Sequence, residues 1–250
     1  MSKECKKMAE IFGRNPVLEL LRSDKSINKI LIAAGTEKGP IQEIVKLAKQ
    51  KRITLQQVER SHLDKMFSGE NHQGVAALAS AADYVEWQDI VERAREKNED
   101  PLIIILDEIE DPHNLGAILR TADAAGAHGV IIPKRRAVPL TEGVAKASAG
   151  AVEYVPVARV ANIVQTMEQL KKEGCWIVGT SLQGKVLYEQ DLKGPLVVVV
   201  GSEGSGLGKL TEEKCDFLVT IPMQGKINSL NASVATGVVL YEALRQRSNA

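Results

Sequence analysis

From residue 102 to residue 221 short, almost uninterrupted apolar runs alternate with stretches of helical spacing. This alternation limits what the chain can fold into more than any other feature it has. Strands are expected over 102–106, 129–132, 154–157, 175–179, 196–200 and 217–221, and helices over 115–125, 142–149, 163–172 and 231–246. Val197-Val198-Val199-Val200 has no polar face, as a parallel strand covered on both sides requires. The pattern predicts an α/β domain built on a parallel sheet. The last helix is apolar nearly all round from Val234 to Tyr241, so its own domain or a second subunit must bury it.

The first 80 residues read as a smaller α/β unit. Asn15-Pro16 fits a helix start, with Asn as cap and Pro at the first helical position. Strands are expected over 30–34, 53–55 and 75–79. Ile41, Ile44, Val45 and Ala48 recur at helical spacing, and residues 69–74 form a polar loop. A charged segment with a helix over 87–97 then ends at Asn98-Glu99-Asp100-Pro101, a strong breaker. The expected organisation is an N-terminal domain at 1–80, a linker at 81–100 and a C-terminal domain at 101–250.

Composition removes several function classes. The chain is 44 % hydrophobic and 26 % charged, an ordinary globular balance, and no apolar run approaches the ~20 residues of a membrane helix. The start lacks the apolar core of a secretory signal, so a cytoplasmic protein is expected. Cys5, Cys175 and Cys215 are far apart without a CxxC, which reads as free thiols and no metal site. The net charge of zero hides an uneven distribution. Residues 1–80 carry 14 Lys and Arg against 9 Asp and Glu, and residues 81–110 carry 3 against 10. A basic N-terminal part is compatible with phosphate binding, and equally with an ordinary solvated surface.

Ligands of open parallel sheets bind beyond the carboxyl ends of the strands, and three polar loops stand there. The first, after strand 102–106, carries Asn114, which suits either a helix cap or a site role. Arg120 follows on the next helix, either solvated or gripping a phosphate. The second is 201–208, with four glycines in eight residues. It is a flexible turn or a close-approach loop. Leu210 follows Lys209 where a P-loop needs Ser or Thr, and the glycine spacing fails the dinucleotide fingerprint. Glu203 within it suits a cationic or hydroxyl-bearing ligand. The third, 222–233, presents Ser229, Asn231 and Ser233 at the mouth of the last helix, more than capping alone needs. Lys134-Arg135-Arg136 is either a phosphate contact or a solvated basic turn.

Three stretches then carry a resemblance: DPHNLGAILRTADAAGAHGVIIP at 111–133, VVVVGSEGSGLG at 197–208 and IPMQGKINSLNASVATGVVLYEA at 221–243. In this order and spacing they resemble the SpoU (TrmH-like) family of RNA ribose 2′-O-methyltransferases of the SPOUT superfamily. The resemblance covers 102–247. The N-terminal part resembles that family's RNA-binding extension of L30e/L7Ae type, with His72-Gln73-Gly74 matching its HQG element. The architecture is most similar to the bacterial enzymes that methylate a guanosine ribose in the peptidyl-transferase loop of large-subunit ribosomal RNA.

The resemblance implies a deep trefoil knot in the C-terminal domain, a homodimer packed through it, an RNA substrate, no metal, and S-adenosyl-L-methionine as cofactor. It places the cofactor around Gly201, Ile221 and Leu230, with Thr180, Met223 and Ser233 as further contacts. The catalytic set carries over to Asn114, Arg120, Glu203, Ser229 and Asn231. Arg120 is often assigned as general base in the family. A guanidinium with a pKa above ~12 is rarely neutral at pH 7, and efficient bases titrate near the working pH. The physical reading is therefore that Arg120 clamps the target's phosphate or 2′-oxygen, with Glu203 orienting Arg120 or taking the proton through water. With 4 % aromatics, recognition of folded RNA by phosphates and shape fits better than base stacking. Competing readings are the same chemistry on tRNA, a non-catalytic RNA-binding dimer, and, more remotely, a nicotinamide dehydrogenase.

Overall fold

The computed structural model describes residues 10–36, 39–68, 70–226 and 229–248. Cys5, and residues 69, 227 and 228 of the expected polar loops, lie outside them. The chain divides into two compact units. One comprises residues 1–83 with Pro139–Glu142, and the other Tyr84–Val138 with Gly143–Ala250.

The smaller unit runs β1 (Glu10–Phe12), α1 (Arg14–Arg22), β2 (Ile27–Ala33), α2 (Pro40–Gln50), β3 (Thr54–Val58), α3 (Arg60–Met66) and β4 (Val75–Ala79). The sheet order is β1-β4-β2-β3, with β2 and β3 parallel and β4 antiparallel to both of its neighbours. Val17, Leu21, Ile41, Ile44 and Ala48 close one face of it. Leu63 and Phe67 pack on the other, where α3 stands as a helix the sequence pattern did not indicate. Helix α1 starts two residues earlier than expected. Gly13, at φ 91°, holds the cap position, so Asn15 is inside the helix and caps nothing.

The HQG element builds its own loop. His72 is buried, with Nδ1 accepting the Gly74 N–H at 3.1 Å and Nε2 against Asp64 Oδ1 at 2.8 Å. Gln73 Oε1 accepts the Arg14 N–H at 3.1 Å. Pro139–Glu142 joins this unit because Asn28 Nδ2 donates to the Leu140 carbonyl at 2.9 Å.

The larger unit begins with β5 (Tyr84–Val85) and α4 (Trp87–Glu96), so residues expected to be linker are built into it. Ile90 and Val91 of α4 belong to its core. There follow β6 (Leu102–Leu106), α5 (Pro112–Ala124), β7 (Gly129–Pro133), α6 (Glu142–Ala147), β8 (Val157–Val160), α7 (Ile163–Lys172), β9 (Trp176–Val186), β10 (Leu196–Val200), α8 (Lys209–Glu213), β11 (Phe217–Thr220) and α9 (Ala232–Ser248). The seven strands pair in parallel in the order β11-β9-β10-β6-β7-β8-β5.

Alternate residues of each central strand face opposite layers. Ile103, Ile105, Val197 and Val199 share a cluster with α4 and α7. Leu102, Ile104, Val198 and Val200 are equally buried on the other side. Both faces are covered, as the polyvaline run demanded. The strand expected at 154–157 lies three residues later. Residues 151–153 form a 3₁₀ turn after Gly150, which is in the left-handed region, and Tyr154 is exposed. Among the described residues no helix is long and apolar enough to cross a membrane.

Candidate functional site

The order of the strands reverses between β6 and β10. From β6 the chain moves through β7 to β8 on one side, while β9 and β10 lie on the other. The crevice beyond the carboxyl ends at such a reversal is where α/β sheets place ligands. Three segments meet there.

The first leaves β6 at Asp107 and enters α5. Asp111 caps this helix, its Oδ1 accepting the His113 N–H at 3.0 Å with Pro112 in the first turn. Pro cannot donate and fits the first helical position, so the cap falls on Asp111, and Asn114 is left free for other partners.

The second is the glycine loop after β10. Ser202 and Gly206 exchange backbone hydrogen bonds of 3.1 and 2.9 Å, folding the loop on itself. A Cβ on Gly201 would stand 2.1 Å from the Gly206 carbonyl carbon, so this position requires glycine. Glu203 sits at the exposed tip.

The third ends at Asn231, which caps the 17-residue α9: its Oδ1 accepts the N–H of Ser233 at 3.0 Å and of Val234 at 3.4 Å. Those bonds fix the amide so that Nδ2 faces the other two segments.

The three join in one network. Asn231 Nδ2 donates to Glu203 Oε1 and, at 2.9 Å, to Asn114 Oδ1. Asn114 Nδ2 donates to Glu203 Oε1 at 3.0 Å, and the Ala232 N–H reaches the same oxygen at 3.4 Å. The carboxylate is thus pinned through one oxygen at a helix N-terminus, where negative charge is favoured.

A cavity of about 380 Å³ opens beside this network. Of the residues expected at the site, Thr180, Gly201, Glu203, Ile221, Met223, Ser229 and Leu230 line it. Asn114 and Asn231 stand behind Glu203 rather than in the wall, and Ser233 is held by Asn231. Arg120 is exposed and, among the described residues, forms no hydrogen bond or ion pair. Among the described residues Glu203 is held through Oε1 by the two asparagines and makes no pair with Arg120, where such a pairing was expected. Among the described residues Lys134 and Arg135 carry no ion pair, whereas Arg136 pairs with Glu108 at 2.8 Å, which raises its pKa.

The cavity wall also holds residues that sequence reasoning missed, among them Ser181, Gln183 and Glu212. Ser181 Oγ donates to Glu212 Oε1 at 2.7 Å. Strand β9 was expected to end at Gly179 but continues to Val186, with its pairing to β11 interrupted between Leu218 and Val219. The small polar residues after Gly179 were the available signal. The two described cysteines are chemically quiet: burial pushes Cys175 up to about 11 and Cys215 up to about 12. Among the described residues no group of His, Cys, Asp and Glu is arranged to hold a metal ion.

Residues 101–241 match the SpoU rRNA methylase family, and residues 11–85 match the substrate-binding domain of RNA 2′-O ribose methyltransferases. The chain belongs to the SpoU family. It is an RNA 2′-O-ribose methyltransferase of SpoU/TrmH type.

A TrmH family tRNA/rRNA methyltransferase assigned in Bacillus subtilis, YacO, is 52 % identical over 95 % of this chain and 96 % of its own. Among solved structures, the SpoU methyltransferase AviRb from Streptomyces viridochromogenes superposes with a TM-score of 0.62. It is 26 % identical over 96 % of this chain and 90 % of its own. The A. aeolicus TrmH/SpoU tRNA-modifying enzyme is 34 % identical with a TM-score of 0.55, over 65 % of this chain and 84 % of its own. The SpoU-type α/β fold is shared with these two solved structures.

Proposed function

We propose that this SpoU-family enzyme takes its methyl group from S-adenosyl-L-methionine and delivers it to a ribose 2′-oxygen of large-subunit ribosomal RNA, at a guanosine. The observation that carries the reading is the Asn114–Glu203–Asn231 network beside a cavity of ligand size, at the sheet's reversal point.

The cofactor is the one present in solved structures of AviRb and of a Sinorhizobium meliloti rRNA methyltransferase. The cavity's chemistry suits it. At about 380 Å³ it falls within the ~300–1,000 Å³ of small-molecule sites. Ile221, Leu230 and Leu207 offer apolar wall to a purine, and Glu203 and Glu212 are the charged residues of the lining. Among the described residues of the lining, two carboxylates and no cation favour a positively charged ligand. When bound, the cofactor supplies a methyl group on a cationic sulfur, already activated for displacement.

The protein's task is then to orient and deprotonate the 2′-hydroxyl, so positioning supplies much of the rate. Asn114 and Asn231 hold Glu203 through Oε1 and leave Oε2 to face the substrate side. There Glu203 takes the hydroxyl proton, directly or through water. Arg120, exposed on α5 and unpaired among the described residues, clamps the target's phosphate or 2′-oxygen and lowers the hydroxyl pKa by its charge. Ser229 orients the reacting groups from the cavity wall. Thr180, Gly201, Ile221, Met223 and Leu230 hold the cofactor, and Ser233 supports it through Asn231.

Two further features complete the reading. The C-terminal segment threads a trefoil knot around the cavity. A second copy of the chain covers the face of α9 on which Val234 and Tyr241, seven residues apart, are each 51 % exposed. The N-terminal unit selects the RNA.

Ribosomal RNA is favoured over tRNA by the A. aeolicus tRNA-modifying enzyme, which matches only 65 % of this chain. Transfer RNA remains the second reading, because YacO is described as a tRNA/rRNA methyltransferase. The test is transfer of labelled methyl to three unmodified RNAs: a large-subunit fragment spanning the peptidyl-transferase loop, small-subunit rRNA, and bulk tRNA. Label mapped to one 2′-O-methylguanosine of the first is the expected result. Label in tRNA alone overturns the substrate, and no transfer to any of them overturns the reading for free RNA.

A further inference from the structure

We propose that Asp107 is a positioning residue for the methyl transfer: it clasps both ends of the glycine loop 201–208 and, through that loop, sets where Glu203 stands. The inference rests on the reading of Glu203 as part of the transfer site.

Asp107 is the first residue after β6 and is only 8 % exposed. Its backbone N–H donates to the Val200 carbonyl at 2.8 Å, at the point where the loop leaves β10. Its side-chain Oδ2 accepts the Gly208 N–H at 3.0 Å, at the point where the loop enters α8. One residue therefore holds the chain on both sides of an excursion containing Gly201, Gly204 and Gly206. Glycine backbone is the most costly to order. Within the loop the ties include the Ser202–Gly206 backbone pair, a 2.7 Å contact between the Ser202 and Ser205 hydroxyls, and the Ser205 N–H donating to Ser202 Oγ at 3.4 Å. None of these fixes the loop to the sheet.

The same segment grips the loop a second time. Seven residues beyond Asp107, Asn114 reaches Glu203 at the loop's tip. Residues 107–114 thus hold the loop at its base and at its functional end. A carboxylate this buried is costly unless hydrogen-bonded, and its side-chain bond goes to the end of the glycine loop, the Gly208 N–H, rather than to a neighbouring strand. A displacement of ~1 Å in a reacting group costs roughly 10²-fold in rate, so loosening the base of the loop should be felt at Glu203.

The test compares D107A, D107N and E203A enzymes with the double variant D107A/E203A. Hydrogen exchange of segment 201–208 is read by mass spectrometry, and single-turnover methyl transfer is read on the large-subunit fragment. D107A is expected to speed exchange of 201–208 at least ~10-fold while leaving helix 163–172 unchanged, and to lower the transfer rate by about 10- to 100-fold. In the E203A background D107A should cost less than about twofold more, because both changes remove the same placement. D107N keeps the volume and one acceptor, guards against a misfolded D107A, and should fall between wild type and D107A. The proposal is overturned if the D107A rate stays within about twofold of wild type. It is also overturned if the D107A and E203A losses multiply in full, or if exchange of 201–208 is unaltered. If the wild-type enzyme methylates no RNA, the assigned function falls and the positioning role with it, while exchange still decides whether the clasp exists.

Discussion

Asn231 gives its two amide atoms to different tasks: Oδ1 closes the first turn of α9, and Nδ2 donates to the Glu203 carboxylate. The helix cap and the site are thereby set by one side chain, and substitution can separate them. In N231D an oxygen still caps the helix, but the donor to Glu203 is lost and a second negative charge replaces it. Transfer should fall by roughly 10²–10³-fold, in line with losing a preorganised hydrogen bond at a reacting centre, while stability changes by less than about 1 kcal/mol. N231A should lose the cap as well, at about 1 kcal/mol. Thermal unfolding and single-turnover rates on both variants check this. An N231D enzyme within threefold of wild-type rate would leave the network without a catalytic role.

Arg120 is the opposite case, exposed and without a partner among the described residues. Its replacement should be invisible to folding and visible to turnover. R120A should unfold with wild-type midpoint and lose about 10²–10³-fold in rate. R120K should recover only part of that, because an ammonium cannot form the two-pronged contact of a guanidinium. A near-normal R120K enzyme would remove the need for a bidentate clamp.

What was readable in the sequence follows from burial. Strands 102–106, 196–200 and 75–79 lie at their expected bounds, because an apolar run buried on both faces tolerates no other register, and helix 163–172 does so because Asn162 caps it and its apolar residues recur on one face. Errors gathered where local chemistry had rivals. Asp111 and Asn114 both suit a cap, and Pro112 decides between them. The strand expected from Tyr154 begins at Val157, and Tyr154 itself is 67 % exposed. The site's residue types came from the family resemblance, but its pairing did not. Asn114 lies 89 residues from Glu203 and 117 from Asn231, and no local pattern says that Glu203 binds the two asparagines rather than Arg120.

His128 should make stability depend on pH near neutrality. It is buried, its Nδ1 accepts the Leu102 N–H at 3.0 Å, and its Nε2 faces Glu99 Oε2 at 3.0 Å. The Leu102 bond requires a neutral ring with the proton on Nε2. Burial lowers the pKa, outweighing Glu99, with Lys97 and Arg247 lowering it further. A base whose pKa is lower in the folded chain takes up protons more readily when unfolded. Its contribution is therefore complete above the ordinary histidine range and is lost as pH falls through that range toward the folded value. Denaturation midpoints should drop between pH 7 and pH 5, and H128Q should flatten that slope. An unchanged slope in H128Q would assign the pH dependence to another group.

Two glycines facing helices predict opposite outcomes for the same substitution. A Cβ on Gly116 would stand 2.4 Å from Ala147 Cβ and 2.9 Å from the Ala147 carbonyl carbon, so α5 and α6 meet there backbone to backbone. G116A should cost about 1–3 kcal/mol in denaturant unfolding, the usual range for overpacking. Adding A147G removes the nearer clash but not the carbonyl contact, so the double variant should recover only part of the loss. At Gly237 of α9, the nearest atom to an added Cβ is Thr121 Cγ2 of α5 at 3.5 Å, an ordinary contact. There the helix propensity of alanine over glycine, about 1 kcal/mol, is unopposed, and G237A should be neutral or stabilising. Equal destabilisation by both substitutions would mean that α5 packs as tightly on α9 as on α6, contrary to the distances.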